Sequence, residues 1–206
     1  MKKITFNKPG TMLYPLPAVM VSCGSIPQEY NIITVAWTGT VNSDPPMLSV
    51  SIRKSRYSHE IISKNGEFVV NLTTEALAEA TDYCGVKSGR DVNKFREKNL
   101  TPIPAELVHC PMIEEAPVNL ECKVKQMLEL GSHDLFLAEV VAVHADAVLM
   151  DAQGRLNLEK SDLLVFSHGG YYGMKRRCIG TFGYSIMKPK TARRRAQKKY
   201  PVKNKK

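Results

Sequence analysis

The sequence predicts a mainly β fold of antiparallel strands with short helices, and three observations support this prediction. Segments 32–41 and 47–52 are rich in Thr, Val, Ile and Trp, the residues that favour strands. Between them, segment 42–46 reads Asn-Ser-Asp-Pro-Pro, a turn composition that makes the two segments a hairpin-like pair. Further along, apolar and polar residues alternate over 120–130, which is typical of a half-buried antiparallel strand.

Short helices are expected between the strands. The apolar spacing after residue 58, with Ile61 and Ile62, indicates a first helix. A second is predicted over 75–83, with Thr74 as its N-cap, and a third over 91–98.

The second half of the chain continues the sheet. Gly131 and Ser132 permit a turn after segment 120–130. The following run, 135–143, is almost continuously apolar, so it should be buried on both faces or cross the centre of a barrel.

Length and composition are those of one globular domain. The 206 residues are 43% hydrophobic and 24% charged, ordinary values for a globular protein with a sizeable core. No apolar run is long enough to span a bilayer, so a cytoplasmic location without membrane contact is the expectation. Five scattered cysteines without a CxxC pair indicate neither a metal site nor a disulfide framework.

The net charge of +9 is concentrated at the carboxyl end. From Lys188 onward there are ten Lys or Arg and no acid, which leaves 19 basic and 20 acidic residues in the rest of the chain. We therefore expect a nearly neutral domain over 1–187 and a basic, disordered tail over 188–206. A solubilising appendage is the default interpretation of this tail, and binding of RNA, DNA or an acidic partner, through the tail alone, is the alternative.

A polar basic stretch, 53–58, follows the predicted hairpin and reads Arg-Lys-Ser-Arg-Tyr-Ser. Cations and hydroxyls at the start of a helix are suited to binding a phosphate. A solvated strand end, with Ser58 merely an N-cap, is the alternative. The neighbouring strand favours the first interpretation, because Thr34, Ala36 and Trp37 combine small, hydroxyl and aromatic side chains on which a flat ring could lie.

At these residues the chain resembles the flavin reductase-like, FMN-binding split-barrel family, and most closely its flavoredoxin branch. The resemblance extends over roughly residues 11–175 and rests on the order and spacing of several short motifs. The motifs are Asn31-Ile-Ile-Thr-Val-Ala-Trp-Thr-Gly-Thr-Val41, Asn42-Ser-Asp-Pro-Pro46, Ser51-Ile-Arg-Lys-Ser-Arg-Tyr-Ser58, Gly66-Glu-Phe-Val-Val-Asn71, Asp82-Tyr-Cys-Gly85 and Ser88-Gly-Arg-Asp91 with Lys94-Phe95.

The resemblance implies an FMN-binding split β-barrel, antiparallel and Greek-key-like, and a set of residues around the flavin. The ring and ribityl chain would contact Thr34, Val35, Ala36, Trp37, Ser51 and Ile52. The phosphate would be held by Arg53, Lys54, Ser55 and Ser58, with Asn71 and Lys94 completing the polar shell. Cys84 and Ser88 would lie in a loop beside the flavin.

His133 is the one candidate for a catalytic side chain. The resemblance places its Gly-x-His turn on the rim of the flavin pocket, where the imidazole would contact nicotinamide or substrate. A solvent-exposed or structural role is the alternative. The family also implies a homodimer with the flavin near the interface.

Three functions remain open on this basis. The first is an oxidoreductase that passes electrons from NAD(P)H through FMN to a flavin or protein acceptor; the flavin carries the chemistry while the protein binds and orients it. The second is a flavoredoxin-type FMN electron carrier that docks a protein partner and has no nicotinamide site. A nucleic-acid-binding module that acts through the basic tail ranks third, since no basic patch interleaved with aromatics is evident in the domain.

Overall fold

The computed structural model describes residues 1–174, 178–188 and 191. The chain divides into two compact units, Met1–Met174 and Lys175–Lys206. Most of the predicted basic tail, 188–206, lies outside the described residues, so its disorder and its boundary at residue 188 stay predictions. In the second unit, the described residues include a short 3-10 helix, Tyr184–Ile186.

Within the described residues, the first unit contains strands and short helices in an antiparallel arrangement. The strands are β1 (Leu16–Pro17), β2 (Val19–Cys23), β3 (Asn31–Val35), β4 (Thr38–Ser43), β5 (Pro46–Arg53), β6 (Glu67–Leu72), β7 (Pro102–Ile103), β8 (Met112–Ile113), β9 (Val118–Glu129), β10 (His133–Ala145), β11 (Leu164–Ser167) and β12 (Gly170–Gly173). The α-helices are α1 (Tyr57–Asn65), α2 (Ala78–Val86) and α3 (Lys94–Glu97), and 3-10 helices span Pro27–Glu29, Glu75–Leu77, Ala147–Leu149 and Leu158–Lys160. The predicted mainly β, antiparallel fold with short helices is confirmed.

The main sheet has seven strands in the order β3-β2-β6-β9-β10-β5-β4, and it must curl on itself. In a flat sheet, six strand spacings of about 4.8 Å would separate the two edge strands by about 29 Å. The edge strands β3 and β4 are nevertheless consecutive in the chain, and the three Cα steps from Val35 to Thr38 span at most about 11 Å. The sheet therefore closes into a barrel whose two edges meet at Ala36 and Trp37.

Successive side chains of each strand point to opposite faces of the sheet, so the hydrophobic core is divided between the two faces. Val19 and Val21 of β2 pack into the barrel interior with Phe68 and Phe136. Met20, between them, packs on the opposite face under the helices α2 and α3. Because β2 and β3 are covered on both sides, almost all of their residues are buried.

Segment 32–41 does not form the single strand that its composition predicts. Its first half pairs with β2 and its second half with β5, at opposite edges of the sheet. The break falls at Ala36 and Trp37, where the Trp37 carbonyl accepts a hydrogen bond from the Ser51 amide at 2.9 Å. Strand propensity acts over a few residues and carries no information about which partner each half will pair with.

The predicted helices lie close to their expected positions. Segment 75–83 is a 3-10 turn that continues into α2, and Thr74 precedes it without a side-chain cap. The third helix is shorter than predicted because Asn93 caps it: its side chain accepts from the Arg96 amide, so α3 begins at Lys94. The N-cap of α1 is Arg56, which contradicts the alternative that Ser58 serves only as a cap.

The long hairpin β9–β10 confirms the strands predicted in the second half, with different bounds. His133 is the first residue of β10 and pairs with Arg53, so it lies in the sheet rather than in the turn. Full burial in β10 is limited to alternate residues, Asp134, Phe136 and Ala138. The residues between them are half-buried, because only one face of this strand lines the barrel interior.

Among the described residues, no helix is long and apolar enough to cross a membrane.

Candidate functional site

Two neighbouring cavities lie where the sheet closes, and they share Ile33, Arg53 and Arg56. The first, of about 360 Å³, we call the basic cavity. Its walls are Asn31, Ile33, Arg53, Ser55, Arg56, Tyr57, Ser58, Cys84, Lys87, Ser88, Gly89 and Lys94. The second, of about 160 Å³, we call the aromatic cavity, and it is lined by Ile33, Thr34, Val35, Ala36, Trp37, Ser51, Ile52, Arg53, Arg56 and His133.

The basic cavity carries positive charge without a compensating acid. Its cationic side chains are Arg53, Arg56, Lys87 and Lys94, and no Asp or Glu is among its lining residues. Within the described part of the chain, none of these four forms an ion pair with a carboxylate. The arrangement is suited to an anion with several acceptor oxygens, such as a phosphate.

Ser58 is held in the wall of the basic cavity by a buried hydrogen bond. The Asn31 side-chain amide donates to Ser58 Oγ at 2.8 Å, and both residues are buried. Gly89 packs against the same amide so closely that a Cβ there would lie 2.1 Å from Asn31 Oδ1. Strand β3, helix α1 and the loop after α2 therefore meet at one point.

Lys94 is almost fully buried at the base of this cavity. Its ammonium donates to the carbonyls of Ile32 at 2.6 Å and Cys84 at 2.8 Å, which ties α3 to β3 and α2. Burial lowers the pKa of Lys94 to about 8; Cys84 opposes this shift and the nearby Arg56 guanidinium adds to it. These two carbonyls are the partners of two of its three donors within the described part of the chain.

Arg90 connects the loop after α2 to the basic stretch before α1. Its guanidinium forms an ion pair with Glu60 at 2.8 Å and lies 4.9 Å from the centre of the Tyr57 ring. It also donates to the carbonyl of Ser55 at 3.4 Å. These contacts hold two walls of the basic cavity together, and they neutralise Arg90 itself.

The aromatic cavity is bounded by a pair of tilted rings in contact. The centres of Trp37 and His133 are 4.5 Å apart, with 40° between the planes. Burial, together with the nearby Arg53 charge, lowers the pKa of His133, so the neutral imidazole is favoured. Ser132 Oγ lies 2.9 Å from His133 Nδ1. A neutral imidazole beside an indole gives this cavity a largely uncharged, flat wall.

Most of the residues expected around a flavin line these two cavities. Thr34, Val35, Ala36, Trp37, Ser51, Ile52 and His133 line the aromatic cavity, Ser55, Ser58, Cys84, Ser88 and Lys94 line the basic cavity, and Arg53 lines both. The Thr34 hydroxyl itself donates to the carbonyl of Thr81 and so fixes β3 to α2. Roles in flavin contact for all of these residues stay predictions.

Lys54 and Asn71 are placed elsewhere. Lys54 lies in the turn after β5, where the Arg56 amide donates to the Arg53 carbonyl at 3.0 Å, and its ammonium pairs with Glu129 at 2.6 Å. Asn71 is fully buried in the sheet, where its side chain donates to the Met20 carbonyl and accepts from the amide of Ile113. Neither is among the residues that line the two cavities.

The structure adds residues that the sequence did not single out. Asn31, Ile33, Arg56, Tyr57, Lys87 and Gly89 also line the basic cavity. Arg56 and Tyr57 lie inside the basic stretch and were available to sequence reasoning. Lys87 carried no such signal, because an isolated lysine at the end of a helix is usually only a solvated charge. In the described ranges, no group of three or more His, Cys, Asp or Glu is placed to hold a metal ion.

Comparison with known proteins gives consistent matches. Residues 11–175 match the family described as flavin reductase like domain. An uncharacterized protein of Archaeoglobus fulgidus is 37% identical over 136 residues, which are 66% of this chain and 76% of that protein. The structure of a flavoredoxin of Desulfovibrio vulgaris (Miyazaki F) is similar with a TM-score of 0.82 and 30% identity, over 90% of this chain and 100% of that one.

A second flavoredoxin structure, from Methanosarcina acetivorans, is similar to the same extent. Its TM-score is 0.81 at 31% identity, and the match covers 91% of this chain and 100% of that one. The region matched by the family model includes every residue that lines the basic and aromatic cavities.

Proposed function

The chain belongs to the flavin reductase like domain family, and from this premise we propose that it is an FMN-binding oxidoreductase that passes electrons from NAD(P)H to a flavin or protein acceptor. The split-barrel fold expected from the resemblance is confirmed by the structural matches. One observation carries the proposal: a cavity with four cations and no acid adjoins a cavity bounded by Trp37 and His133. A flavin mononucleotide has a matching division into a phosphate and a flat ring.

The side chains present fit FMN. Arg53, Ser55 and Ser58 would hold the phosphate, with Lys94 donating from below. The ring would lie along the backbone of 34–37 beside Trp37, where amide groups and a flat aromatic surface are both available. No carboxylate lines either cavity, so nothing there repels a phosphate dianion.

When bound, the flavin supplies the redox chemistry, accepting an electron pair and passing it on. The work of this chain is to bind and orient it. Burial beneath the Trp37–His133 pair would exclude water from one side of the ring. His133 would contact nicotinamide or acceptor at the cavity mouth as a neutral donor or acceptor of a hydrogen bond.

Titration with FMN and riboflavin tests this proposal. We expect the purified protein to show flavin absorbance or to take up FMN, with riboflavin bound much more weakly because it lacks the phosphate. Arg53→Met should weaken FMN binding by about tenfold, since it removes a charge-assisted hydrogen bond, and leave riboflavin binding nearly unchanged. Arg155→Met is the control, because Arg155 is exposed and pairs with Asp151. Failure of the wild-type protein to bind FMN at micromolar excess would refute the proposal.

A second candidate, a flavoredoxin-type FMN electron carrier without a nicotinamide site, is supported by the likeness to two flavoredoxins at 30% and 31% identity. Anaerobic stopped-flow mixing of the FMN-loaded protein with NADH and NADPH separates the two. Rapid bleaching of the flavin absorbance favours the reductase. Persistence of the yellow colour with both nicotinamides favours the carrier.

We also propose that the protein acts as a homodimer. An apolar groove of about 770 Å³ runs from the amino-terminal segment across the edge strand β4, and it shares Trp37 and Ser51 with the aromatic cavity. Met12, Leu13 and Val41 in this groove are exposed. An apolar surface of this kind beside an unpaired sheet edge is typical of an interface between copies.

A further inference from the structure

The positive charge of the basic cavity exceeds what one flavin phosphate would neutralise. A phosphate monoester carries a charge of about −2 at neutral pH. Four cationic side chains line the cavity and no acid does. Clustered cations repel each other, so a folded protein with unneutralised surplus charge is stabilised by a further anion.

The cations that surround this cavity differ from those that line it, because the surrounding ones pair with acids. Nearby cations outside it are neutralised: Lys54 pairs with Glu129, Arg90 with Glu60 and Lys98 with Glu79. By contrast, no carboxylate lies within ion-pair distance of Arg53, Arg56 or Lys87 in the described part of the chain. The acids Glu129, Glu60 and Glu79 thus pair with cations outside the cavity, and none of these acids lines it.

The cations also differ in which of the two cavities they line. Arg53 and Arg56 line both cavities, so they lie on the side where the ring-binding wall begins. Lys87 directly follows α2. Together with its neighbour Ser88 it lines the basic cavity but not the aromatic cavity. The cavity volume of about 360 Å³ falls within the range of sites that hold whole ligands, not a single phosphate group.

We propose that the basic cavity binds two phosphate groups at once: the flavin phosphate on the side of Arg53 and Arg56, and a second phosphate ester at Lys87 and Ser88. This inference rests on the proposed function and deepens it. The 2′-phosphate of NADPH is the source, because it adds a charge of about −2, whereas the FAD pyrophosphate carries about −2 in total and no more than the phosphate of FMN. Lys87 is then the residue that selects NADPH over NADH by its additional phosphate.

The test is equilibrium binding by Lys87→Gln, with Lys64→Gln as the matched control. Lys64 is an exposed lysine of α1 that pairs with Glu29 and lines neither cavity. FMN and FAD are titrated into flavin-free protein, and NADP⁺ and NAD⁺ into FMN-loaded protein, by calorimetry. Calorimetry reports binding without requiring turnover.

We expect Lys87→Gln to weaken NADP⁺ binding by about tenfold and to change NAD⁺ binding less than twofold, with any loss of FMN or FAD affinity smaller than the loss for NADP⁺. Losses for FMN and FAD as large as the loss for NADP⁺, or no loss of NADP⁺ binding, would overturn the inference. Wild-type protein that binds no FMN would instead refute the proposed function, so the two failures are distinguishable.

Discussion

Lys94 combines two opposing effects in one side chain. Burial disfavours its charge and lowers its pKa to about 8, yet its place beneath the basic cavity makes that charge useful to an anion. Between pH 8 and its ordinary pKa of 10.5, the unfolded chain binds a proton at this lysine that the folded protein does not. Folding stability contributed by Lys94 therefore rises with pH across this window, while its attraction for phosphate falls.

The first prediction concerns the pH dependence of FMN binding. The ratio of FMN affinity to riboflavin affinity should fall by up to about tenfold between pH 7 and pH 9, because the phosphate loses a charged partner as Lys94 deprotonates. Fluorescence titration at several pH values measures this ratio. Lys94→Met should start with a lower ratio and show no change across the window. A ratio in wild-type protein that stays constant with pH would contradict a phosphate-binding role for Lys94.

The second prediction concerns Gly89. In Gly89→Ala the new Cβ would lie 2.1 Å from Asn31 Oδ1, so the buried amide must move and its 2.8 Å hydrogen bond to Ser58 is lost. We expect a loss of about 1–3 kcal/mol in the free energy of unfolding and at least fivefold weaker FMN binding. Urea unfolding and flavin titration measure the two effects. Gly39→Ala is the control, since its Cβ would meet nothing within 4 Å, and an equal effect there would contradict this account.

Among the elements, segment 102–110 is anchored in part by one buried carboxylate of β9. Glu121 is fully buried and accepts from the amides of Glu106, Leu107 and Val108 at 2.6–3.0 Å. His144 of β10 lies 2.6 Å from the same carboxylate. Burial alone raises the pKa of Glu121, but these hydrogen bonds outweigh it and the net shift is downward.

The third prediction is that Glu121→Gln destabilises the protein by about 3 kcal/mol, because the amide NH₂ of Gln would face backbone donors and leave them unpaired. Since the folded pKa is lowered, the carboxylate contributes stability above its ordinary value near 4.5 and loses it as the pH falls. The variant should therefore lose less stability on acidification than wild-type protein does. Urea unfolding at pH 7 and pH 4 measures both effects.

The control for this prediction is Glu114→Gln, at an exposed carboxylate, which should change stability by less than about 0.5 kcal/mol. FMN affinity should be unchanged in Glu121→Gln, because Glu121 lines neither cavity. Equal stability of the two variants would show that the buried carboxylate does not anchor segment 102–110.

For the whole molecule, closure of the sheet brings an apolar groove next to the aromatic cavity. The exposed residues of the groove lie in the amino-terminal segment and along β4, the edge strand that pairs only with β5 among the described strands. Trp37 is 41% exposed although its ring contacts that of His133, and a partner copy in the groove would cover it further. We therefore expect dimer formation to raise the affinity for FMN, and FMN binding to stabilise the dimer.

The fourth prediction is that Val41→Asp converts a dimer of the 23.0 kDa chain to monomer, because it places a charge in the apolar groove of both copies. Sedimentation equilibrium at micromolar concentration measures the mass, and FMN affinity should fall in parallel. Val148→Asp is the control at another exposed valine, outside the groove. A wild-type protein that sediments as a monomer would contradict the proposed homodimer.

Local composition and residue order were sufficient to predict the strands, the short helices and the basic stretch before α1. Strand and turn propensities act over a few residues, so 47–52 and the alternation over 120–130 could be interpreted directly. The motif series likewise identified the family, because order and spacing along a chain are properties of the sequence itself. Side chains close in sequence, such as Arg53, Ser55 and Ser58, were accordingly expected at one site.

Tertiary packing determined which side chains of those segments face the cavities. Tertiary packing split 32–41 between two edges of the sheet, placed Lys54 beside Glu129 and buried Asn71 in the sheet. It also brought Lys87 to Arg53, across 34 positions of sequence, where only a long-range contact could reveal a shared cavity. Contacts between distant segments depend on strand pairing and closure over the whole sheet. A local sequence pattern does not specify which strands pair, so it cannot predict these contacts.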